Sequence, residues 1–265
     1  GTDSLNGGGG NDTLIGGAGK DTQHGDAGED LFLLGSTTQF VAGETIDGGD
    51  DSDTLRYTGT VAATLILTAG VSNFENVAIA NAAGVATGTA AININAATVT
   101  SNGLTITGND GANTLTGTTF NDTLIGNGGN DNLRGRAGDD ALNGGEGNDI
   151  FLIASGTEHG AGESIDGGNG MDTVRFTSVT AGQTLVLTSL LTNLERVVIS
   201  NAAGVVTGTT ALNVDASAVT SNGLSIAGNA GANVLIGTGL GDTLNGSTGT
   251  DSLNGGGGND TLIGG

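Results

Sequence analysis

The stretch Gly7-Gly8-Gly9-Gly10-Asn11-Asp12-Thr13-Leu14-Ile15 is the clearest copy of a nine-residue pattern that recurs along the chain. Written generally, the pattern is G-G-x-G-x-D-x-U-x, where U is a large apolar residue. Its aspartates fall nine residues apart in three arrays, at residues 1–33, 108–152 and 228–265. Self-similarity at a fixed short period is the signature of a repeat architecture, so we expect a solenoid.

The nonapeptide itself predicts a turn followed by a short strand. Its glycines permit backbone conformations that other residues avoid, which suits a tight six-residue turn. The last three residues, such as Thr13-Leu14-Ile15, are extended, with the central apolar side chain pointing inward. Two nonapeptides then form one coil, and coils stack by parallel hydrogen bonding about 4.8 Å apart. The predicted fold is an all-β, parallel β-roll or β-solenoid, whose narrow core is filled by Leu5, Leu14, Leu124, Leu133, Leu142, Leu244, Leu253 and Leu262.

Two intervening stretches, 34–107 and 153–227, lack the array but contain one solitary nonapeptide each, at 48–56 and 167–175. They carry pairs of alternating apolar residues, which is typical of strands. These pairs are Leu65/Leu67, Val77/Ile79, Ile92/Ile94 and Leu104/Ile106, and then Leu185/Leu187, Val197/Ile199, Leu212/Val214 and Leu224/Ile226. The spacing favours a continuing parallel solenoid with wider coils. A sandwich-like insert is the alternative.

Longer repeats lie above the nonapeptide. Residues 81–89 (NAAGVATGT) return as 201–209 (NAAGVVTGT), so the chain consists of two related halves. Residues 1–17 are identical to residues 249–265, a shift of 248 residues. Our hypothesis is that the chain is one 248-residue period of a longer tandem array plus the start of the next.

Composition excludes several classes of protein. The 265 residues include 53 glycines but no proline, so a collagen-like helix is excluded. The absence of cysteine excludes a disulfide scaffold, and a formal charge of −22 opposes nucleic-acid binding. No apolar run approaches the roughly 18 residues that a membrane-spanning helix needs, so we expect no membrane insertion.

The stacking of coils predicts a metal site. The aspartate of one turn lies close to the aspartate one coil away, and the two carboxylates repel each other unless a cation lies between them. Carboxylates combined with glycine carbonyls supply the six to eight oxygens that Ca²⁺ prefers. Mg²⁺ demands tighter octahedral geometry, and Zn²⁺ or copper is disfavoured by a chain with no cysteine and two unpaired histidines.

The arrays resemble the repeats-in-toxin (RTX) family of haemolysin-type calcium-binding nonapeptides. The resemblance implies that the calcium carboxylates are Asp3, Asp12, Asp21, Asp30, Asp53, Asp122, Asp131, Asp140, Asp149, Asp172, Asp242, Asp251 and Asp260. It also implies carbonyl ligands on glycines such as Gly8, Gly10, Gly17, Gly19, Gly145, Gly147, Gly256 and Gly258. Asn113 and Asn233 replace the aspartate and mark weak or absent sites.

Four further acids recur just before the solitary nonapeptides: Glu44, Asp47, Glu163 and Asp166. One interpretation is that they complete metal sites with Asp53 and Asp172. Simple duplication of the halves is an equal alternative.

The residues predict no catalytic site. His24 and His159 do not occupy equivalent positions in the two halves, and both are expected at the surface. The favoured interpretation is therefore a calcium-stabilised extracellular structural repeat protein: a surface layer, a fibre or an adhesin shaft. The alternatives are the secretion and folding module of a larger type I secreted enzyme or toxin, and a ligand-binding adhesin tip.

The RTX resemblance implies type I secretion from a Gram-negative cell and folding on calcium outside it. The expected location is the bacterial surface or the extracellular matrix. The expected partners are calcium and the protein itself, through end-to-end stacking or covalent tandem continuation.

Overall fold

In the arrays, a strand begins at the residue directly after the nonapeptide aspartate. The computed structural model describes residues 1–265, which form two compact units, Gly1–Asp131 and Asn132–Gly265. The one helix is a 3-10 turn at Thr37–Gln39, and no helix is long and apolar enough to cross a bilayer. Strand pairs within both units are parallel, so the sandwich-like insert is excluded and the predicted all-β parallel solenoid is confirmed.

The first unit contains thirteen strands in three parallel sheets, ordered β1-β3-β5-β8, β2-β4-β6-β9-β11-β13 and β7-β10-β12. The strands are β1 (Ser4–Gly9), β2 (Thr13–Leu14), β3 (Thr22–Ala27), β4 (Leu31–Leu34), β5 (Thr45–Asp50), β6 (Thr54–Tyr57), β7 (Ala63–Ile66), β8 (Val71–Ser72), β9 (Asn76–Ile79), β10 (Ile92–Asn95), β11 (Thr105–Thr107), β12 (Thr114–Thr116) and β13 (Thr123–Ile125).

The second unit contains fourteen strands, ordered β14-β16-β18-β21-β23-β25-β27, β15-β17-β20 and β19-β22-β24-β26. They are β14 (Asn132–Arg134), β15 (Ala141–Glu146), β16 (Ile150–Ile153), β17 (Ser164–Asn169), β18 (Thr173–Phe176), β19 (Thr184–Val186), β20 (Leu191–Thr192), β21 (Arg196–Ile199), β22 (Asn213–Asp215), β23 (Ser225–Ala227), β24 (Val234–Ile236), β25 (Thr243–Asn245), β26 (Ser252–Asn254) and β27 (Thr261–Ile263).

Coil length varies along the first unit. Within the first array, residues one coil apart are separated by 18 positions, as for Asp3 and Asp21. The separation grows to 23 between Asp30 and Asp53, and reaches 29 between Thr64 and Asn93. Residues 34–107 therefore continue the stack of the first unit with wider coils.

Apolar side chains form ladders through these coils. In the first unit Phe32, Leu55, Val77, Ile106 and Leu124 are paired in register and almost completely buried. Every member of the predicted alternating pairs, from Leu65/Leu67 to Leu224/Ile226, is buried too. Of the leucines predicted to fill the core, Leu14, Leu124, Leu133, Leu142 and Leu244 are buried, Leu5 and Leu253 are half-buried, and Leu262 is exposed. The exposed leucine lies on the last strand, which has no further coil to pack against it.

Candidate metal centre

Many of the nonapeptide aspartates accept a backbone amide of the preceding coil through their first carboxylate oxygen. The Asp3 amide donates to Asp21 Oδ1 at 2.8 Å, and the Asp12 amide donates to Asp30 Oδ1 at the same distance. The contact recurs in the first unit from Asn113 to Asp131, and in the second unit from Asp149 to Asp172 and from Asp242 to Asp260. Carboxylates one coil apart are thus stacked in ladders, as predicted from the period of nine. In the first unit Asp3 and Asp21 precede strands of one sheet, and Asp12 and Asp30 precede strands of another.

The second carboxylate oxygen of several of these aspartates has no hydrogen-bond donor. The Oδ2 atoms of Asp12, Asp21, Asp30, Asp53, Asp172 and Asp251 are buried and accept no hydrogen bond from the protein. Leaving a buried charged acceptor without a partner is costly, on the order of 1–3 kcal/mol or more for each group. These oxygens therefore require a partner from outside the chain, and a cation is the natural one.

The first glycine of each nonapeptide leaves the space for that partner. A β-carbon on Gly7 would lie 2.7 Å from Asp12 Oδ2 and 2.8 Å from the carbonyl oxygen of Gly25, one coil later. Gly25 has the same relation to Asp30 Oδ2 and the Gly48 carbonyl oxygen. An unpartnered carboxylate oxygen and a carbonyl oxygen thus face one small space, and both are ligand types that Ca²⁺ uses.

The second and fourth glycines shape the turn. The eight glycines predicted as carbonyl ligands all have positive φ, between 83° at Gly17 and 135° at Gly19. This left-handed conformation is readily available only to glycine. Their role as ligands stays a prediction, whereas their role in the turn is visible in the backbone.

Two predicted ligands sit in turns of another kind. Asp122 Oδ2 accepts the Thr118 amide at 2.6 Å and the Thr118 hydroxyl at 3.1 Å, while its Oδ1 accepts the Leu104 amide at 2.7 Å. Asp242 has the equivalent contacts with Thr238 and Leu224. Neutral donors of the protein thus already satisfy both oxygens of each carboxylate.

The asparagine turns are satisfied internally as well. Asn113 Oδ1 accepts the Asn109 amide, and its Nδ2 donates to Asn109 Oδ1 at 2.9 Å and to the Ile92 carbonyl at 2.6 Å. Asn233 repeats these contacts with Asn229 and Leu212. Their geometry agrees with the expectation that these positions are weak or absent sites.

The remaining predicted carboxylates directly precede strands in the same way. Asp131, Asp140 and Asp149 are buried. Asp260 accepts the Asp242 amide, and Asp3 is exposed at the first coil. No three histidine, cysteine, aspartate or glutamate side chains converge on one point. A cation in this ladder therefore needs backbone carbonyls as well as carboxylates.

The four accessory acids divide into two roles. Glu44 accepts the Val41 amide at 3.0 Å and Gln23 Nε2 at 3.4 Å, so the buried Gln23 side chain has a polar partner. Burial raises the pKa of Glu44, and the charge of Asp21 adds to the shift. Strand register places Glu44 beside Asp21, whereas Asp53 lies beside Asp30 in another sheet. The interpretation that Glu44 completes a site with Asp53 is therefore wrong.

Glu163 belongs to a buried pair with His159. Its Oε1 lies 3.4 Å from His159 Nδ1, and burial raises the pKa of Glu163 even though the histidine opposes the shift. The expectation that both histidines lie at the surface is wrong for His159, which is buried because the ring replaces the apolar Phe40 of the first half. His24 is partly exposed and lies 3.7 Å from Asp47.

Asp47 and Asp166 support the following coil. Asp47 Oδ1 accepts Asn73 Nδ2 at 2.7 Å, and Asp166 Oδ1 accepts Asn193 Nδ2 at the same distance. The charge of Asp166 contributes to the raised pKa of Asp172, for which burial is the main cause.

Two acids that the sequence analysis missed align with the ladder. The Asp53 amide donates to Glu75 Oε2 at 2.8 Å, and the Asp172 amide donates to Glu195 Oε2 at 2.7 Å. Burial raises the pKa of Asp53, and the charges of Asp30 and Glu75 add to it. The signal was present in Glu75-Asn76-Val77, which has the D-x-U form with glutamate in place of aspartate.

A family model described as the RTX calcium-binding nonapeptide repeat matches four segments of the chain, residues 1–32, 107–141, 116–151 and 236–265. These segments fall on the three arrays. No curated protein sequence is significantly similar to the chain. The fold is a parallel β-roll, and its matched segments are RTX calcium-binding nonapeptide repeats. Such repeats imply calcium-dependent folding of a type I secreted protein.

Proposed function

We propose that the chain is a structural part of an extracellular repeat protein, such as a surface layer, a fibre or an adhesin shaft. The observation that carries the proposal is the identity of residues 1–17 with residues 249–265. A stacked architecture that repeats over 248 residues suits a building element, because each period adds the same coils again.

Calcium controls the folding in this proposal. Without the cation, the chain carries a net charge of −22, and folding would bury carboxylate oxygens that have no protein donor. Carboxylate repulsion then keeps the chain open inside the cell. Outside, millimolar calcium binds a site that the unfolded chain lacks, so the binding free energy becomes folding free energy.

We further propose that the chain has no catalytic role. The aspartates are engaged in the ladder, and the buried pair of His159 and Glu163 has no adjacent nucleophile among its hydrogen-bonding partners. Calcium held by backbone carbonyls and carboxylates is structural in kind.

Self-association is part of the proposal. The edge strands of a parallel stack carry unpaired backbone groups, and a further coil can extend the ladder through them. The proposal accommodates both covalent continuation by the next period and end-to-end stacking of separate chains.

The decisive experiment uses the source bacterium and the isolated chain together. Washing intact cells with a calcium chelator should release the protein from the surface, and chelator should abolish the β-sheet circular dichroism of the purified chain. A parent protein found in the medium with hydrolytic activity would instead support the secretion-module alternative. A spectrum unchanged by excess chelator would contradict calcium-dependent folding itself.

A further inference from the structure

Glu75 and Glu195 lie where the next aspartate of each ladder would fall. Strand register pairs Thr54 with Asn76, which places Glu75 directly beside Asp53. In the second unit, Thr173 pairs with Arg196, which places Glu195 beside Asp172. Both glutamates lie outside the segments that match the RTX repeat.

Each glutamate accepts the backbone amide of the aspartate one coil earlier, as the nonapeptide aspartates do in other coils. The Asp30 amide donates to Asp53 Oδ1 at 2.7 Å, and the Asp53 amide in turn donates to Glu75 Oε2 at 2.8 Å. The hydrogen-bonded carboxylate ladder therefore extends one coil beyond the solitary nonapeptide.

An unsatisfied buried oxygen points into the space between these coils. Asp53 and Asp172 are both 0% exposed, and the Oδ2 atom of each has no protein donor. A β-carbon on Gly48 would lie 2.6 Å from Asp53 Oδ2 and would also meet the carbonyl oxygen of Asn73. Gly167 has the same relation to Asp172 Oδ2 and the Asn193 carbonyl oxygen.

The asparagines hold these carbonyls in position. Asn73 and Asn193 have φ values of 53° and 52°, the left-handed region that asparagine tolerates better than most residues. Their side chains donate to Asp47 and Asp166 at 2.7 Å. Asp47 and Asp166 are therefore positioning residues.

We propose that Glu75 completes a cation site with the Asp53 carboxylate and the Asn73 carbonyl oxygen. The second unit holds the equivalent site, formed by Glu195, Asp172 and Asn193. The ligands are all oxygens, so the cation is a hard divalent ion, and Ca²⁺ suits an irregular set of this kind. Each unit thus binds one ion beyond those of its nonapeptide arrays. This inference rests on the proposed calcium-dependent folding.

The test counts calcium ions on the whole chain by native mass spectrometry at saturating calcium. Glu75→Gln and Glu195→Gln retain an oxygen that accepts the neighbouring aspartate amide but remove the charge. Each single variant should bind one ion fewer than the wild type, and the double variant two fewer. The control is Glu29→Gln, which removes the same charge from an exposed acid and should leave the count unchanged.

A double variant that retains the wild-type count overturns the inference. Should Glu75→Gln fail to fold in calcium, Glu75→Asp decides. If it folds and needs several-fold more calcium than the wild type, the carboxylate is a ligand; if it also fails, the residue is a structural acceptor. A wild-type chain that binds no calcium would refute the proposed function, whereas array binding without loss in the variants refutes only this inference.

Discussion

At the scale of single residues, glycine has two separate tasks in this protein. Gly8 and Gly10 supply positive φ values that build the turn. Gly25 has no positive φ, but a β-carbon there would collide with Asp30 Oδ2 and the Gly48 carbonyl oxygen. The first glycine of the nonapeptide is therefore required for space beside the carboxylate rather than for backbone freedom.

This distinction predicts different costs for two glycine-to-alanine substitutions. Gly25→Ala should lower the free energy of unfolding in calcium by about 1–3 kcal/mol, because overpacking displaces the carboxylate and the carbonyl. It should also raise the calcium concentration at the folding midpoint. Gly9→Ala is the matched control, since nothing lies within 4 Å of its β-carbon position. Its effect should stay within about 0.5 kcal/mol in chemical denaturation. Equal costs would show that the space beside Asp30 is not critical.

At the scale of structural elements, the turns are of two kinds. Those around Asp12, Asp21 and Asp30 leave a buried carboxylate oxygen without a donor. Those around Asp122 and Asp242 supply the donor from a threonine four residues earlier. In the second kind of turn, the carboxylate oxygens therefore have hydrogen-bond donors from the protein and need no cation.

Hydrogen exchange at a calcium concentration just sufficient to keep the chain folded should separate the two kinds of turn. The Leu224 amide, which donates to Asp242 Oδ1, should exchange more slowly than the Asp12 amide, which donates to Asp30 Oδ1. Thr238→Val should remove much of this difference, because it deletes the hydroxyl while keeping the side-chain shape. Uniform exchange across both sites in the wild-type chain would contradict the assignment.

At the scale of the whole molecule, burial acts on several acids in the same direction. It raises the pKa values of Glu44, Asp53, Glu163 and Asp172 above their ordinary values of 4.5 for glutamate and 3.8 for aspartate. A carboxyl group with a raised folded-state pKa binds protons more tightly when folded. The stability it contributes is present at low pH and is lost as pH rises through the raised pKa.

Acidification should therefore have opposite effects with and without calcium. Lowering the pH from about 7 to about 5 should increase the β-sheet signal of the metal-free chain, because protons neutralise the buried acids. In saturating calcium the same change should lower the thermal midpoint, because protons compete with the cation for the carboxylates. Circular dichroism spectra in metal-free buffer and thermal melts in calcium buffer provide the measurement. Changes of the same sign in both buffers would argue against carboxylates as the calcium ligands.

The coil, the parallel strand pairing and the stacked carboxylates were predictable from the sequence, because all three follow from the nine-residue period. The wide coils were predictable in kind, since alternating pairs such as Leu65 and Leu67 indicate strands. Glu75 does not fit the nine-residue period of the aspartates, and only the folded 22-residue coil brings this glutamate beside Asp53. The burial of His159 was not predictable, because it depends on how the second half of the chain packs around the ring.

The sequence by itself determined the fold, because each nonapeptide encodes its own turn, strand and inward side chain within nine residues. Only the tertiary structure decided which carboxylate oxygens lack a donor. Asp242 and Asp251 are both aspartates at the same place in the pattern, yet one is satisfied by Thr238 and the other has an unpartnered buried oxygen. That difference arises because the environment of each carboxylate is assembled from its own turn and from coils 18 or more residues away.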